Sequence, residues 1–302
     1  MLPNNAPASL WKDSSVMTYC LGIVTKFGLV MASDSRTQAG YDQVNVCRKM
    51  HPFIQPGERV FVILASGSLS CTQSILTLLR RDFNVGKGLA QANSMYDAAR
   101  IIGEQVRRVA EIDRGALERD DYKFNVHLIV GGQVKGDPPG LFLIYPQGNP
   151  LEATEESPFL QIGEAKYGRP ILDRGIRYDR TTLEEAAKYA LLSLDSTMKS
   201  NVTVGPPIDL LAYSVNDLDI TRHKRFDADD PGLLKIRSRW EQALRQAVLK
   251  LPDIRFKARA AGLPATTSQE TIEVVEGTLG DSPAEPAAQV AQRSPETTPA
   301  DR

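Results

Sequence analysis

TYCLGIVTKFGLVMASDSR, residues 18–36, divides into two apolar runs, TYCLGIVT and LVMAS, around Lys26, Phe27 and Gly28. Both runs alternate in β fashion, and a connection this short suits a hairpin. The two strands are then antiparallel neighbours and their outer ends come together, Thr18 at one and Ser33, Asp34, Ser35 and Arg36 at the other. A threonine at a strand end is ordinary. This one faces an acid, with Lys49 following at short distance in the sequence. If the chain were cut before Thr18, one residue would carry both a hydroxyl nucleophile and a free α-amine able to act as its base.

The pattern continues outward from the hairpin. RVFVILAS, residues 59–66, runs into Gly67 and then into TQSILTLLRRDF, where Ile75, Leu78, Leu79 and Phe83 recur at helical spacing. The succession is strand, tight glycine turn, helix. Ala98, Ile101, Ile102, Val106 and Val109 mark the core face of a second helix over about Met95 to Ile112. NVHLIVGG and LFLIYPQG flank a hairpin loop at residues 136–140, and PFLQIGE adds a third strand. TTLEEAAKYALLSLDSTMKSN is a helix capped by Thr181 or Thr182, with Glu184 and Glu185 at the positive end of its dipole. PIDLLAYSV and DITRHKRF form another hairpin around Asn216 and Asp217, and DPGLLKIRSRWEQALRQAVLKL closes as an amphipathic helix. Strands that cluster in groups argue against a doubly wound parallel sheet. They predict an α+β protein of two antiparallel sheets packed face to face, with a helix layer outside each.

The balance of 36 Lys+Arg against 37 Asp+Glu, a formal net charge of -1, supplies no long-range attraction to a phosphate backbone or an anionic bilayer. The reading therefore assigns no nucleic-acid and no membrane partner. Cys20, Cys47 and Cys71 are too few and too irregularly spaced for a disulfide framework, and no CxxC or His-rich cluster suggests a zinc site. They read as buried free thiols in a reducing compartment, and neither metal nor cofactor is expected. MLPNNAPASLWKDSSV has no apolar run of signal-peptide length, and no later segment reaches membrane-spanning length. The expected location is cytoplasmic. Beyond about Arg259 the chain turns to Ala, Pro, Thr, Ser, Glu and Gln, so residues 258–302 are expected to form a disordered tail.

TYCLGI, ASDSRT, RKMH, ASGSLSCTQ, QIGEAKYGRPILDR and LDSTMKSNVTVGPPIDL occur in this order across Met17 to Leu251. Together they resemble a proteasome β-type subunit of the N-terminal nucleophile (Ntn) hydrolases, most closely the bacterial Anbu branch. The resemblance implies a four-layer αββα sandwich over residues 18–257, in agreement with the strand grouping. It implies Thr18 as nucleophile, Asp34 and Lys49 beside it, Arg36 as a nearby structural charge, and Gly67 as the backbone amide of an oxyanion hole. It further implies self-association into a ring or an open helical homo-oligomer, and a peptide or protein substrate. No GxxxxGK[ST] motif is present, so any unfolding motor is another chain.

The chemistry fits these residue types. A threonine hydroxyl needs a base at neutral pH, and an α-amine of unperturbed pKa about 7.7–8.0 is nearly matched to that task, whereas a lysine at about 10.4 is not. Lys49 serves better as a fixed cation that favours the ionised hydroxyl, with Asp34 holding the ammonium in place. Glycine at position 67 permits the close backbone approach that an oxyanion donor requires.

Two departures from the family pattern stand out. Glu164 occupies the place of a serine after the Ile-Gly of a strand, and Asp195 is followed at the third position by Met198 instead of serine. Ser196, Thr197 or Ser200 is left to supply that hydroxyl. Proteasome precursors usually place glycine before the nucleophile, whereas this chain has Met17, which a methionine aminopeptidase removes ahead of a small threonine. The expectation is translation from Met17, with residues 1–17 absent from the mature chain, over a self-cleaved propeptide. The leading function is a threonine peptidase acting through an acyl-enzyme on Thr18. The alternatives are a catalytically weak or inactive scaffold subunit and an amidohydrolase of small amides.

Overall fold

The computed structural model describes residues 18–38 and 44–256. The expected extension, residues 1–17, and the expected tail, residues 258–302, lie outside the described residues. The opening hairpin forms as read: β1 (Tyr19–Thr25) pairs antiparallel with β2 (Gly28–Ser33), from Thr25 opposite Gly28 to Cys20 opposite Ser33. Every residue of both strands is buried. Strands covered on both faces read as near-continuous apolar runs, which is why the hairpin is so conspicuous in the sequence.

The chain continues through β3 (Arg36–Gln38), β4 (Val44–Val46), β5 (Met50–Gln55), β6 (Arg59–Gly67), α1 (Leu69–Asn84) and α2 (Met95–Arg119). Then come β7 (Val126–Val134), β8 (Gly140–Ile144), β9 (Pro150–Glu152), β10 (Phe159–Gly163), α3 (Ala165–Gly175) and α4 (Leu183–Ser200). β11 (Ile208–Ser214), β12 (Arg222–Phe226) and α5 (Pro231–Leu249) complete it. One sheet has the order β10-β1-β2-β11-β12 and the other β5-β6-β7-β8-β9, with every neighbouring pair antiparallel. β3 and β4 form a separate two-stranded ribbon.

Three apolar layers hold four layers of structure together. Cys20, Leu29 and Met31 from the first sheet meet Val62, Leu64 and Ile129 from the second. Tyr19, Leu21 and Ile23, on the opposite face of β1, pack with Leu172 of α3 and Ala190 and Leu194 of α4. Phe61 and Ile63 pack with Ile75 of α1 and Ile102 and Val106 of α2. Alternate residues of one strand thus belong to different cores, as the period of two requires. The architecture is the αββα sandwich.

Several elements differ from the sequence reading. PFLQIGE does become a strand, but β10 leaves the β7–β8 hairpin and crosses to the other sheet, placing Gly163 opposite Tyr19. β5 was not anticipated; Pro52 weakens its signal and is tolerated because β5 is an edge strand. α3 was likewise unmarked as a helix, since Pro170 lies inside it. Of the two candidate caps for α4, Thr182 forms the capping box with Glu185. Among the thiols, Cys20 and Cys71 are buried, whereas Cys47 is half-buried.

Candidate active site

Thr18 stands immediately before β1, and the first sheet holds it by its backbone. The Glu164 amide donates to the Thr18 carbonyl at 2.8 Å. This approach depends on Gly163, with φ +84°, because a Cβ there would stand 1.8 Å from the Thr18 carbonyl oxygen. Only glycine takes that conformation and that contact without strain.

The hairpin register then aims the Thr18 side chain at Asp34, just past the end of β2. The Thr18 hydroxyl donates to Asp34 Oδ1 at 2.8 Å, and Lys49 Nζ donates to the same oxygen at 2.6 Å. Asp34 Oδ1 also accepts from the Tyr19 amide at 3.0 Å, while Oδ2 accepts from the Arg36 and Gly205 amides at 3.2 and 3.3 Å. Lys49 Nζ makes a second bond to the Arg36 carbonyl at 2.7 Å. Asp34 is fully buried and Lys49 nearly so. A buried carboxylate is stable when paired and richly hydrogen-bonded, and this one has five donors.

Beside this cluster lies a cavity of about 540 Å³, lined by Thr18, Lys49, Gly67, Arg48, His51 and Arg80 among others. Gly67 ends β6 with φ +111°, where a Cβ would meet the Asn125 carbonyl oxygen at 2.0 Å. The turn from strand to α1 therefore requires glycine, and it puts Gly67 on the same wall as Thr18. Arg80 Nη2 donates to His51 Nδ1 at 3.2 Å. Burial, with the Arg80 charge second, pushes His51 down to about 4. Below the nucleophile, burial pushes the Cys20 thiol up to about 12, which keeps it protonated.

The sequence profile of the family described as Proteasome subunit matches residues 17–211. The chain belongs to the proteasome subunit family. It is similar to the solved Anbu (Gly-1) mutant from Hyphomicrobium sp. strain MC1, with 46% identity and TM-score 0.74, over 79% of this chain and 100% of that one. It is also similar to the helical assembly of the Anbu complex from Pseudomonas aeruginosa, with 42% identity and TM-score 0.74, over 78% and 98% of the two chains. Proteasome subunit beta of Haloferax volcanii is 25% identical over 220 residues, 72% of this chain and 81% of that protein.

In this proteasome-family chain the remaining predicted site residues place no side chain in the Asp34 cluster. Arg36 contributes through its backbone; its guanidinium donates to the Val202 carbonyl and lies against Gly205, whose amide reaches Asp34. Asp195 is buried and paired with Arg237, tying α4 to α5. Glu164 stands at the N-cap position of α3 without a side-chain capping bond, and Lys166 lies 3.5 Å from its carboxylate. Ser196 is half-buried and Ser200 exposed. The α4 hydroxyl that reaches β1 is instead Ser193, 2.6 Å from the Tyr19 hydroxyl, which also accepts from Gln161. Position along the helix explains the difference: Ser193 sits in the buried middle of α4 against β1, whereas Ser200, seven residues on and on the same side, is at the exposed C-terminal end, and Ser196 is only half-buried. Burial pushes the Tyr19 phenol up to about 12. Arg48, His51 and Arg80 were not marked as site residues, though Arg48 and His51 stand within the RKMH motif.

Proposed function

We propose that this proteasome-family Ntn hydrolase is a threonine peptidase with Thr18 as nucleophile. The observation that carries the reading is the meeting of the Thr18 hydroxyl and the Lys49 ammonium on one oxygen of buried Asp34, at the edge of an open cavity. In the active form the chain begins at Thr18, and its α-amine takes the hydroxyl proton as Oγ1 attacks the substrate carbonyl. Lys49, fixed by Asp34, stabilises the negative charge that develops, and the Gly67 amide donates to the oxyanion. As the adduct collapses the α-ammonium passes its proton to the leaving nitrogen, the amine half departs and an ester remains on Thr18, which water, deprotonated by the same amine, then hydrolyses.

In the 302-residue chain Thr18 follows Met17, so its nitrogen is an amide and not a base. Removal of residues 1–17 is therefore part of the proposal, as is a tail at residues 258–302 that takes no part in the chemistry. If residues 1–17 stay attached, the same observation favours the second reading, an inactive self-assembling subunit. The helical assembly formed by the Pseudomonas Anbu complex supports self-association of this chain.

N-terminal sequencing of the purified protein, together with hydrolysis of fluorogenic peptides by wild type and Thr18→Ala, tests the proposal. Turnover is expected only from protein beginning at Thr18. Hydrolysis retained by Thr18→Ala, or supported by chains that still carry Met17, would sink it.

A further inference from the structure

Among the described residues, the lining of the cavity beside Thr18 holds three cations and no carboxylate. Of the three, Lys49 has a described carboxylate partner, Asp34, at 2.6 Å. Among the described residues neither Arg48 nor Arg80 forms an ion pair, and no Asp or Glu lines the cavity. Such an excess of one sign in a concave site concentrates its field on whatever enters.

Arg80 is exposed, as is Arg48, but it has a side-chain partner. It extends from α1 toward β5, where His51 lies opposite Ile63 in the edge pairing with β6. Its Nη2 donates to His51 Nδ1, and because a guanidinium cannot accept, Nδ1 must be the bare nitrogen of the ring. The low proton affinity of His51 keeps the ring uncharged at neutral pH, so it acts as an acceptor for Arg80 and not as a further repelling cation. A hydrogen bond to a neutral ring orients the arginine and leaves its charge free. The walls near it include Leu69, Leu76 and the methyl of Thr72, an apolar lining suited to methylene groups.

We propose that Arg80, positioned by His51 and supported by Arg48, makes this cavity a receptor for an acidic side chain, so that cleavage follows a glutamate or aspartate of the substrate. The inference rests on the reading of Thr18 as nucleophile. A cavity bordered by Thr18 and Gly67 adjoins the attacked carbonyl, and the side chain that precedes the scissile bond enters it. Its methylenes contact Leu69 and Leu76, and its carboxylate meets the planar fork of Arg80, a geometry that favours paired hydrogen bonds.

Binding separates this inference from the catalytic one. Thr18→Ala protein is titrated calorimetrically with acetylated tetrapeptide amides that differ only in a last residue of Glu, Gln or Leu. The Glu peptide is expected to bind about tenfold more tightly than the isosteric Gln peptide, a gap of about 1.4 kcal/mol. Adding Arg80→Gln is expected to shrink that ratio to about twofold, while Arg80→Lys, which keeps the charge and loses the paired geometry, is expected to retain an intermediate ratio. Equal affinities for the Glu and Gln peptides, no measurable binding of the Glu peptide at millimolar concentration, or a ratio unmoved by Arg80→Gln each overturn the proposal. Turnover by Thr18→Ala would overturn the nucleophile instead and leave these ratios standing.

Discussion

Asp34→Asn removes one charge and rearranges five hydrogen bonds without changing side-chain volume. In the folded protein Oδ1 takes Thr18, Tyr19 and Lys49, and Oδ2 takes the Arg36 and Gly205 amides. An asparagine has a single oxygen. If that oxygen keeps the first three donors, the new NH₂ points at two backbone N–H groups, and each orphaned donor costs about 1 kcal/mol or more. Lys49, whose side chain is 6% exposed, loses its counter-charge; stranding one member of a buried pair costs about 3–5 kcal/mol. The total is about 5–7 kcal/mol, against a stability of about 5–15 kcal/mol for a typical domain. Urea unfolding at fixed protein concentration measures it, and a cycle with Lys49→Met isolates the pair. Lys49→Met alone leaves Asp34 with its other four donors, so the loss is smaller, about 3 kcal/mol. The double variant should be more stable than the summed single losses predict by at least about 2 kcal/mol. An Asp34→Asn loss below about 1.5 kcal/mol, or additive single losses, refutes the buried-pair argument.

Gly163→Ala is expected to destabilise by at least about 2 kcal/mol and to abolish turnover, since its Cβ would stand 1.8 Å from the Thr18 carbonyl oxygen at a positive φ; a variant with wild-type unfolding midpoint and activity contradicts that placement. His51 is expected to titrate near 4 by NMR instead of near its ordinary 6.5. Because its folded value is lowered, the unfolded chain binds the proton first as pH falls, so the stability that neutral His51 contributes is intact above about 6.5 and lost toward 4. A midpoint near 6.5, or no loss of stability across that window attributable to His51 on comparison with His51→Gln, counts against the burial of the ring first and the nearby Arg80 charge second.

The strands buried on both faces were legible because nothing polar interrupts them: β1, β2 and β6 announce themselves, and the two-residue connection of the first hairpin already brings Thr18 to Asp34. α4 and α5 were equally plain from Thr182, Asp230 and Pro231 at their starts. The edge strands β10 and β12 were read as well, but short or proline-interrupted elements were not. β5 carries Pro52, α3 carries Pro170, and the two three-residue strands of the ribbon are too short to show a period. Local pattern encodes burial and turn chemistry, and these segments have little of either.

Thr18 and Asp34 come together in the sequence reading through one hairpin, while the family resemblance is what sets Lys49 and Gly67 beside them. No local pattern holds the rest. Gly163 opposes Tyr19 only because β10 crosses to the first sheet, and Gly205 reaches Asp34 from 171 residues away along the chain. Arg80 meets His51 only because α1 packs across the edge of the second sheet. Asp195 and Ser193 share a helix yet serve different partners, Arg237 and Tyr19, since two residues on a helix point in different directions. Side-chain period and turn geometry act over a few residues and survive as pattern in the chain. The charge that fills the cavity, and the partner each polar group finds there, come from how separate layers pack, which leaves no period to read.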